Sequence, residues 1–446
     1  MLPISDPVGP PERHTRPPTL QWARACAVRV GVTDGVLALV LGVLACGLCL
    51  AGSARINPQL VLSDSLWNVW FDADPSVYYV SMTNRVGGHW GSNVHPLLAF
   101  FMYLPVFALT RGLGLAKPAA AQVLMALVAA AWVFLHFVMA RLFACRRVDA
   151  ALLAVLAGTS AGAMFMFVVP EFHPFGGVTV TLCLVLAARN QNRRVTTGEL
   201  IGINALSATG TVTNWALGAL ICHASGGVRR ALTTTMGAAA LLAAASLAQH
   251  AIFPTATMFL WRSAGYAVEF ARIPTPLRLA ETTAGLLYHP VVMPRIGTLG
   301  ASAQRRVGSA QWPYRALSVQ QSLPGSGSTW GVVAVVLWTV LLGRGAMVWY
   351  RSHRRWLVLP IALAIQALLY LVFGDEMFLF TLNWLPFLLS FAALGLAASR
   401  GIAMRIVLAG LIVANAANNI GQFQLAADML SHPERHPALA VPVSAP

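Results

Sequence analysis

Residues 119–140 read AAAQVLMALVAAAWVFLHFVMA and contain no Asp, Glu, Lys or Arg, and Arg141, Arg146 and Arg147 follow directly. A helix needs about 20 predominantly apolar residues to cross the ~30 Å hydrocarbon core of a bilayer. The stretch is therefore predicted to be a membrane-spanning helix. The arginines mark the end at which it leaves the membrane, because positive charge in short loops resists translocation.

The whole chain has the same character. Of its 446 residues, 57% are hydrophobic and 10% are charged, and the mean hydropathy is +0.67. Soluble domains carry about a quarter charged residues. Apolar stretches of similar length recur from end to end, so the chain is predicted to be an all-α polytopic membrane protein rather than a soluble enzyme. The net charge of +15 is spread over many loops, which argues for arginines that orient helices and against a nucleic-acid partner.

The positions of the arginines predict a topology. Short loops with arginine occur at Arg141/Arg146/Arg147, Arg189/Arg193/Arg194, Arg229/Arg230, Arg344–Arg355 and Arg400/Arg405. If these loops and the N-terminus are all cytoplasmic, each neighbouring pair must be separated by an even number of crossings. About eleven crossings satisfy this condition, at 35–54, 119–140, 150–169, 175–188, 200–212, 215–227, 235–253, 330–349, 356–373, 384–398 and 402–421. The C-terminus is then external.

The same topology divides the chain into parts. Residues 1–34 form a basic cytoplasmic tail, 35–422 a transmembrane domain, and 423–446 an external C-terminal tail. Two long external loops are predicted, 55–118 and 254–329. Within the first, 97–110 is short and interrupted by Pro105, so we expect a juxtamembrane or re-entrant helix there, which is tolerated where protein covers the backbone.

The first external loop contains the strongest catalytic candidates, Asp72 and Asp74. Either carboxylate could act as a general base, and burial beside Trp70 and Phe71 would raise its pKa toward neutrality. Alternatively, Asp74 followed by Pro75 is typical of a helix N-cap and first helical position. An Asp-x-Asp pair also occurs in metal-bound nucleotide-sugar sites, but no nucleotide sugar is supplied outside the cytoplasm.

Further candidates for substrate or phosphate binding occur in the external segments. They are Arg85, His89, His95, Glu171, His173, Arg262, Tyr288, His289, Asp375 and Glu376. Each has a purely structural alternative: Glu171 and His173 could form a rigid turn between two prolines, Asp375 and Glu376 could stabilise a helix N-terminus, and the basic loop could contact anionic lipid headgroups. No set of residues has the spacing of a metal site.

This arrangement resembles the GT-C superfamily of integral membrane glycosyltransferases. The resemblance is carried by an uncleaved first span, a long first external loop with acids near its start, and a second large external loop. The local matches are Asp72-Ala-Asp74, Asn93-Val-His95-Pro-Leu97 and Gly374-Asp-Glu376-Met-Phe-Leu-Phe380. The chain departs from the family in having Asp-x-Asp instead of an adjacent acidic pair, no sequon-reading motif and almost no lysine.

The resemblance implies a function. Such enzymes move a sugar from a polyprenyl-phosphate donor to a glycan, lipid or protein acceptor at the outer face of the membrane, here a bacterial inner membrane. Asp72 or Asp74 would be the base of an inverting displacement, and arginines with His89 or His95 would stabilise the leaving phosphate. No cofactor is required, and a divalent metal is possible but not indicated. Two other classes stay open, a transporter or lipid flippase and an O-antigen-type polymerase or ligase.

Overall fold

The computed structural model describes residues 30–63, 68–190, 195–258, 271–298, 316–351, 357–374, 376–399, 401–432 and 435–436. Arg262, Asp375 and most of the predicted N-terminal tail lie outside the described residues. The described chain is mostly helical, as an all-α membrane protein should be.

The helices begin and end close to the predicted apolar stretches. In the first half they are α1 (Val32–Ser53), α2 (Gln59–Leu62), α3 (Pro75–Thr83), α4 (Leu98–Leu113), α5 (Lys117–Leu142), α6 (Arg147–Thr159), α7 (Ala161–Met166), α8 (His173–Asn190) and α9 (Thr197–Gly210). In the second half they are α10 (Trp215–Ile252), α11 (Pro276–Leu287), α12 (Thr329–Arg351), α13 (Val358–Val372), α14 (Leu385–Ala397) and α15 (Ala403–Ser431).

Short irregular elements connect these helices. Turns of 3₁₀ helix occupy His89–Asn93, Val212–Asn214 and Met377–Asn383. Two strands of two residues each, β1 (Gly297–Thr298) and β2 (Leu317–Ser318), pair antiparallel.

Fewer helices have the length and apolar character of a span than the eleven predicted crossings. Within the described residues five qualify: α1, α5, α12, α15 and the stretch Val212–Ile252 that contains α10. A sixth arises if the 3₁₀ turn Met377–Asn383 and α14, which meet at a 53° bend, count as one span. The protein is therefore a membrane protein by composition and helix length, while the figure of eleven stays a prediction.

Helix α10 is interrupted by a kink at Gly226 and Gly227. Gly226 has φ −173° and ψ 20°, and Gly227 has φ +76° and ψ −175°, so neither is helical. The positive φ at Gly227 is strongly disfavoured for residues with a side chain and is freely available to glycine. The two glycines therefore allow the chain to change direction inside what is otherwise one continuous helical run.

Contacts with α9 show that this change is a reversal. Before the kink, Gly218 packs on Asn204 and Cys222 contacts Leu200. After the kink, Arg230 bonds to Val195, which precedes α9, and Thr235 bonds to Asn204. The contacts move toward the start of α9 before the kink and back along it afterwards. The two halves of α10 thus form a hairpin around α9, in the order of the predicted segments 215–227 and 235–253.

One end of the helix bundle is held by buried ion pairs. Asp34 is fully buried at the start of α1, and its carboxylate binds Arg141 Nε at 3.3 Å and Arg147 Nε at 2.7 Å. Asp149, at the start of α6, binds Arg405 Nε at 2.6 Å. We call this the arginine end; it joins the starts of α1, α6 and α15 to the end of α5.

The opposite end of the bundle carries the acids singled out in the sequence. Ser53, the last residue of α1, donates from Oγ to the Val168 carbonyl at 2.9 Å. Glu171 lies in the same loop as Val168, and its side chain contacts Asp74. We call this the carboxylate end. Because Arg141 in the last turn of α5 lies at the arginine end, the start of α5 at Lys117 lies at the carboxylate end.

The first turn of α4 packs against the last turn of α10. The main-chain N–H of Ala99 donates to Gln249 Oε1 at 3.0 Å, and the rings of Phe100 and Phe253 lie 5.8 Å apart. The last turn of α4 leads directly into α5. Both ends of α4 are therefore at the carboxylate end. Helix α4 is also not among the helices with the length and hydropathy of a span. Both features are in keeping with the juxtamembrane helix expected at 97–110.

Helix α15 carries a stripe of amides that holds irregular backbone in place. The side-chain amide of Asn419 donates to the Thr159 carbonyl at 2.9 Å and to the Val291 carbonyl at 2.8 Å, and its oxygen accepts the Met293 N–H at 2.8 Å. Asn418 Nδ2 adds a bond to the Met293 carbonyl at 2.7 Å. These bonds satisfy buried backbone groups where α6 gives way to α7 and where the 288–298 segment enters the bundle.

Candidate functional site

The turn that carries Asp72 and Asp74 is anchored by aromatic packing. Trp70 and Phe71 are fully buried, and Trp70 Nε1 donates to the Phe165 carbonyl at 2.8 Å. Phe71 and Asp72 have positive φ values of 51° and 65°, a conformation that costs about 1–3 kcal/mol per non-glycine residue and persists only where the surroundings impose it. The packing of the two rings therefore holds a strained turn that fixes where the acids lie.

Asp74 occupies the N-cap position of α3, with Pro75 as the first helical residue, but its side chain makes no capping hydrogen bond. Its Oδ1 instead accepts the main-chain N–H of Asn68 at 3.3 Å. The residue is only partly buried. Burial raises the pKa of Asp74 to about 6, and the Asn68 bond opposes that shift. The carboxyl is thus free of the capping role that the Asp-Pro sequence suggested.

Glu171 lies beside Asp74. Only 1% of its surface is exposed, its Oε1 accepts the Phe172 N–H at 2.7 Å, and its Oε2 accepts the Asp74 N–H at 3.3 Å. Burial, together with the nearby Asp74 carboxylate, raises the pKa of Glu171 to about 8. The predicted rigid turn between Pro170 and Pro174 is therefore tied directly to the Asp72–Asp74 turn.

Two buried histidines lie next to this pair of acids. The rings of His95 and His173 are 5.6 Å apart in an edge-to-face arrangement, and the His95 ring lies 4.7 Å from that of Phe172. His95 Nδ1 bonds to the Gly210 carbonyl at 2.7 Å, while His173 Nδ1 is buried with no hydrogen-bond partner. Burial lowers the pKa of His95 to about 4, so its ring is neutral at neutral pH.

Glu376 forms a separate cluster on the other side of the aromatic anchor. It is fully buried; Ser318 Oγ and the Val319 N–H, at 3.0 Å, donate to its Oε2, and the Phe378 N–H donates to Oε1 at 3.2 Å. Desolvation raises its pKa. The Phe378 ring packs 5.3 Å from Phe71. Glu376 thus stabilises the start of a 3₁₀ helix, the structural role weighed for it, and lies next to the site without contacting Asp74.

Four other candidates lie apart from Asp74 and Glu171. Arg85 is exposed and its Nε donates to the Ile252 carbonyl at 3.0 Å. His89 is buried, with Nε2 bonded to the Asn84 carbonyl and its ring 5.0 Å from that of Phe253. His289 is buried and its Nε2 has no partner, and Tyr288 is half-buried beside it.

Sequence reasoning missed a chain of buried amides below the histidines. Gln366 Nε2 donates to Asn214 Oδ1 at 3.1 Å, and Asn214 Nδ2 donates to Asn383 Oδ1 at 2.9 Å. Gly176 lies against Asn383, since a Cβ there would be 2.6 Å from its Oδ1. The signal was a polar residue inside one apolar stretch (Gln366) and at the edge of others (Asn214 and Asn383), but nothing in the sequence showed that the three would meet.

The described residues do not bring together three or more His, Cys, Asp or Glu side chains in a geometry that could hold a metal ion. What the site offers is a partly exposed carboxyl, Asp74, that can exchange protons near neutral pH, backed by a buried carboxyl and neutral histidines. Such a group can accept a proton from a hydroxyl.

In comparisons with known proteins, no protein family, curated protein or solved structure matched this chain. The site must therefore be interpreted from its own chemistry.

Proposed function

We propose that this chain is a membrane glycosyltransferase of the GT-C kind. It moves a sugar from a polyprenyl-phosphate donor to a glycan, lipid or protein acceptor at the outer face of the cytoplasmic membrane. The observation that carries the proposal is Asp74, a partly buried residue whose desolvated carboxyl is not used as a helix cap and has a pKa raised by burial to about 6. A general base works best when its pKa lies near the working pH.

The cluster of arginines at one end of the bundle supports the assignment of sides. Arg141, Arg147 and Arg405 lie at one end, and Asp74 and Glu171 at the other. Positive loops stay in the cytoplasm, so the carboxylate end faces outward in this proposal. Nucleotide sugars are absent from that side, which leaves lipid-linked sugars as donors.

In the proposed reaction, the Asp74 carboxylate accepts the proton of the acceptor hydroxyl as its oxygen attacks the anomeric carbon. The bond from that carbon to the phosphate oxygen breaks on the opposite face, and polyprenyl phosphate leaves as the anion. The configuration inverts, and Asp74 then loses its proton to water. Between Asp72 and Asp74, we assign the base to Asp74 because it contacts Glu171.

Arginine suits the leaving phosphate because its guanidinium can form bidentate bonds to it. Arg85 is an exposed arginine of the first loop, close to Asp74 in sequence. Arg278 is not suited to this role, because its Nη2 already bonds to the carbonyls of Tyr370, Phe373 and Gly374. Arg85, and Arg262 outside the described residues, therefore stay the candidates.

A transfer assay with matched variants tests the proposal. Proteoliposomes containing the full chain would be supplied with polyprenyl monophosphates carrying radiolabelled mannose, glucose or arabinose, and with a membrane extract as acceptor. We expect Asp74→Asn to lower transfer about 10²- to 10⁴-fold, the range typical of a lost general base. Asp72→Asn, its matched control, should keep most of the activity.

Three results would count against the proposal. Full activity of Asp74→Asn would remove the base. Transfer from diphosphate-linked glycans but not from monophosphates would favour the polymerase or ligase class. Accumulation of labelled lipid or sugar across the bilayer without a new glycosidic bond would favour a transporter. Transporters tend to have ionisable groups near mid-membrane, whereas the described carboxyls of this site lie at one end of the bundle.

A further inference from the structure

Asp74 and Glu171 are two acidic residues linked by one hydrogen bond between the main chain of Asp74 and the carboxyl of Glu171. Glu171 Oε2 accepts the main-chain N–H of the very residue that carries the other carboxyl, at 3.3 Å. Glu171 is also fixed from behind, since its Oε1 accepts the Phe172 N–H at 2.7 Å. Glu171 is therefore tied to the backbone of the Asp74 turn, and the negative charge of Asp74 raises the pKa of Glu171.

Among the residues that the structure describes, the groups around Glu171 supply no compensating positive charge. Asp74, on the turn before α3, and His173, at the start of α8, interact with Glu171 directly, and His95, from the loop before α4, packs against Phe172 and His173. His95 is neutral because burial lowers its pKa to about 4. In the described chain no arginine or lysine contributes to the electrostatics of Glu171, whose only charged neighbour there is Asp74.

Burying a carboxylate without a neighbouring cation costs free energy, and burying a second carboxylate beside it costs more. Main-chain donors to Glu171 offset part of that cost. Two carboxyls that interact this closely lose their protons in separate steps that belong to the pair. Asp74, which is more exposed, is the group that ionises first.

We infer that Glu171 is a positioning residue for Asp74: as a neutral acid it holds the Asp74 turn in its working place, and its ionisation at alkaline pH switches the site off. Because this role depends on Asp74 being the base of the proposed glycosyltransferase, it deepens that function by adding a built-in pH control. The second negative charge would strain the turn and repel the phosphate of the donor.

Infrared difference spectroscopy on the purified full-length protein in detergent tests this without any substrate. A protonated buried carboxyl gives a C=O stretching band that disappears when the group ionises. We expect such a band at pH 7 that is lost as the pH rises through about 8. Glu171→Gln should lack this titration. Glu376→Gln, which removes a different buried acid, should leave it unchanged.

Asp74→Asn provides the second variant, which reports on Glu171 even if Glu171→Gln does not fold. Without the neighbouring charge, the Glu171 band should titrate at lower pH, by about one unit or more for groups coupled this strongly. Such a shift shows that the two carboxyls are coupled, and the pH profile of sugar transfer separates a positioning role from a purely structural one. An unchanged midpoint in Asp74→Asn, or an unchanged spectrum in Glu171→Gln, would overturn the inference.

The transfer assay separates this inference from the proposed function. Suppose that Asp74→Asn abolishes transfer. The kcat/KM of the wild-type protein should then decrease both at acid pH and above pH 8. Glu171→Gln should lose the decrease above pH 8 and keep the decrease at acid pH. Glu171→Asp should keep an alkaline fall at lower overall activity. An alkaline fall that persists in Glu171→Gln refutes the positioning role alone, whereas full activity in Asp74→Asn refutes the glycosyltransferase mechanism.

Discussion

At the scale of single residues, the decisive feature is the carboxyl of Asp74, for which the sequence predicts a helix-capping role that the structure does not show. Asp74 before Pro75 has the sequence of a helix cap, yet its side chain makes no capping bond. Asn68 and Glu171, on either side of it, bond to its side chain and its main chain instead. A side chain relieved of a structural role, partly exposed and partly desolvated, is available for proton transfer.

The raised pKa of Asp74 predicts an acid limit to activity. The base works only when ionised, and its pKa is about 6, so kcat/KM should be level near pH 7 and fall about tenfold per pH unit well below 6. The measurement is the transfer rate with a polyprenyl-phosphate hexose between pH 4.5 and 7.5. Asp72→Asn should show the same decrease of kcat/KM at acid pH. A wild-type transfer rate that stays level down to pH 4.5 would exclude Asp74 as the base.

At the scale of secondary-structure elements, α15 works as a support for irregular backbone rather than as a simple span. Its amide stripe binds the chain where α6 ends and where the 288–298 segment enters, through Asn415, Asn418 and Asn419. In a low-dielectric interior an unpaired backbone carbonyl is costly. The break between α6 and α7 is therefore compatible with a stable bundle because another helix supplies its hydrogen bonds.

Asn419→Leu tests this support. The substitution leaves the N–H of Met293 without its partner, while the Thr159 carbonyl keeps its bond from Asn415 Nδ2 and the Val291 carbonyl keeps its bond from the Ala161 N–H. An unsatisfied buried group costs about 1–3 kcal/mol, so we expect a loss of about that size and a lower apparent melting temperature in detergent. Ile420→Leu, on an exposed neighbouring position, should leave the melting temperature nearly unchanged; equal melting of the two variants would contradict this role.

The reversal within α10 makes a separate prediction about accessibility. If the helix turns back at Gly226–Gly227, Thr213 and Thr257, which flank α10, lie on one side of the membrane and Ser225 lies on the other. Single cysteines at these positions in a cysteine-free background, probed with a membrane-impermeant maleimide, should fall into those two groups. A straight span over the same residues would instead separate Thr213 from Thr257.

At the scale of the whole molecule, the sequence predicted the positions of helices better than their contacts. The apolar stretches 119–140 and 330–349 correspond to Lys117–Leu142 and Thr329–Arg351, because a backbone in lipid must satisfy its hydrogen bonds within each helix. The bond between Asn419 and Val291 joins residues 128 positions apart, and no local pattern encodes it. The number of crossings stays open for the same reason, since the shorter helices depend on tertiary cover.

For the candidate site too, the sequence predicted which residues matter but not which contacts they make. Residue type identified Asp74 and Glu171 as carboxyls near predicted membrane boundaries, because charged groups are excluded from the apolar stretches. The sequence could not show that they share a hydrogen bond, nor that His89 would pack against Phe253 instead, 5.0 Å between ring centres. Those outcomes depend on how the turns fold over the helix ends.

The orientation of the bundle decides whether the proposed donor can reach the site at all. Val86 and Trp90 are exposed side chains of the first loop, near Asp74 in sequence, and Arg147 is more than half exposed at the arginine end. In intact cells we expect an impermeant maleimide, able to reach the periplasm, to label cysteine at Val86 or Trp90. A cysteine at Val148, which is exposed next to Arg147, should be labelled only after the cytoplasmic membrane is permeabilised. The opposite pattern would place Asp74 in the cytoplasm, where a nucleotide sugar could serve as donor, and a polyprenyl-phosphate-dependent transferase at the outer face would no longer be tenable.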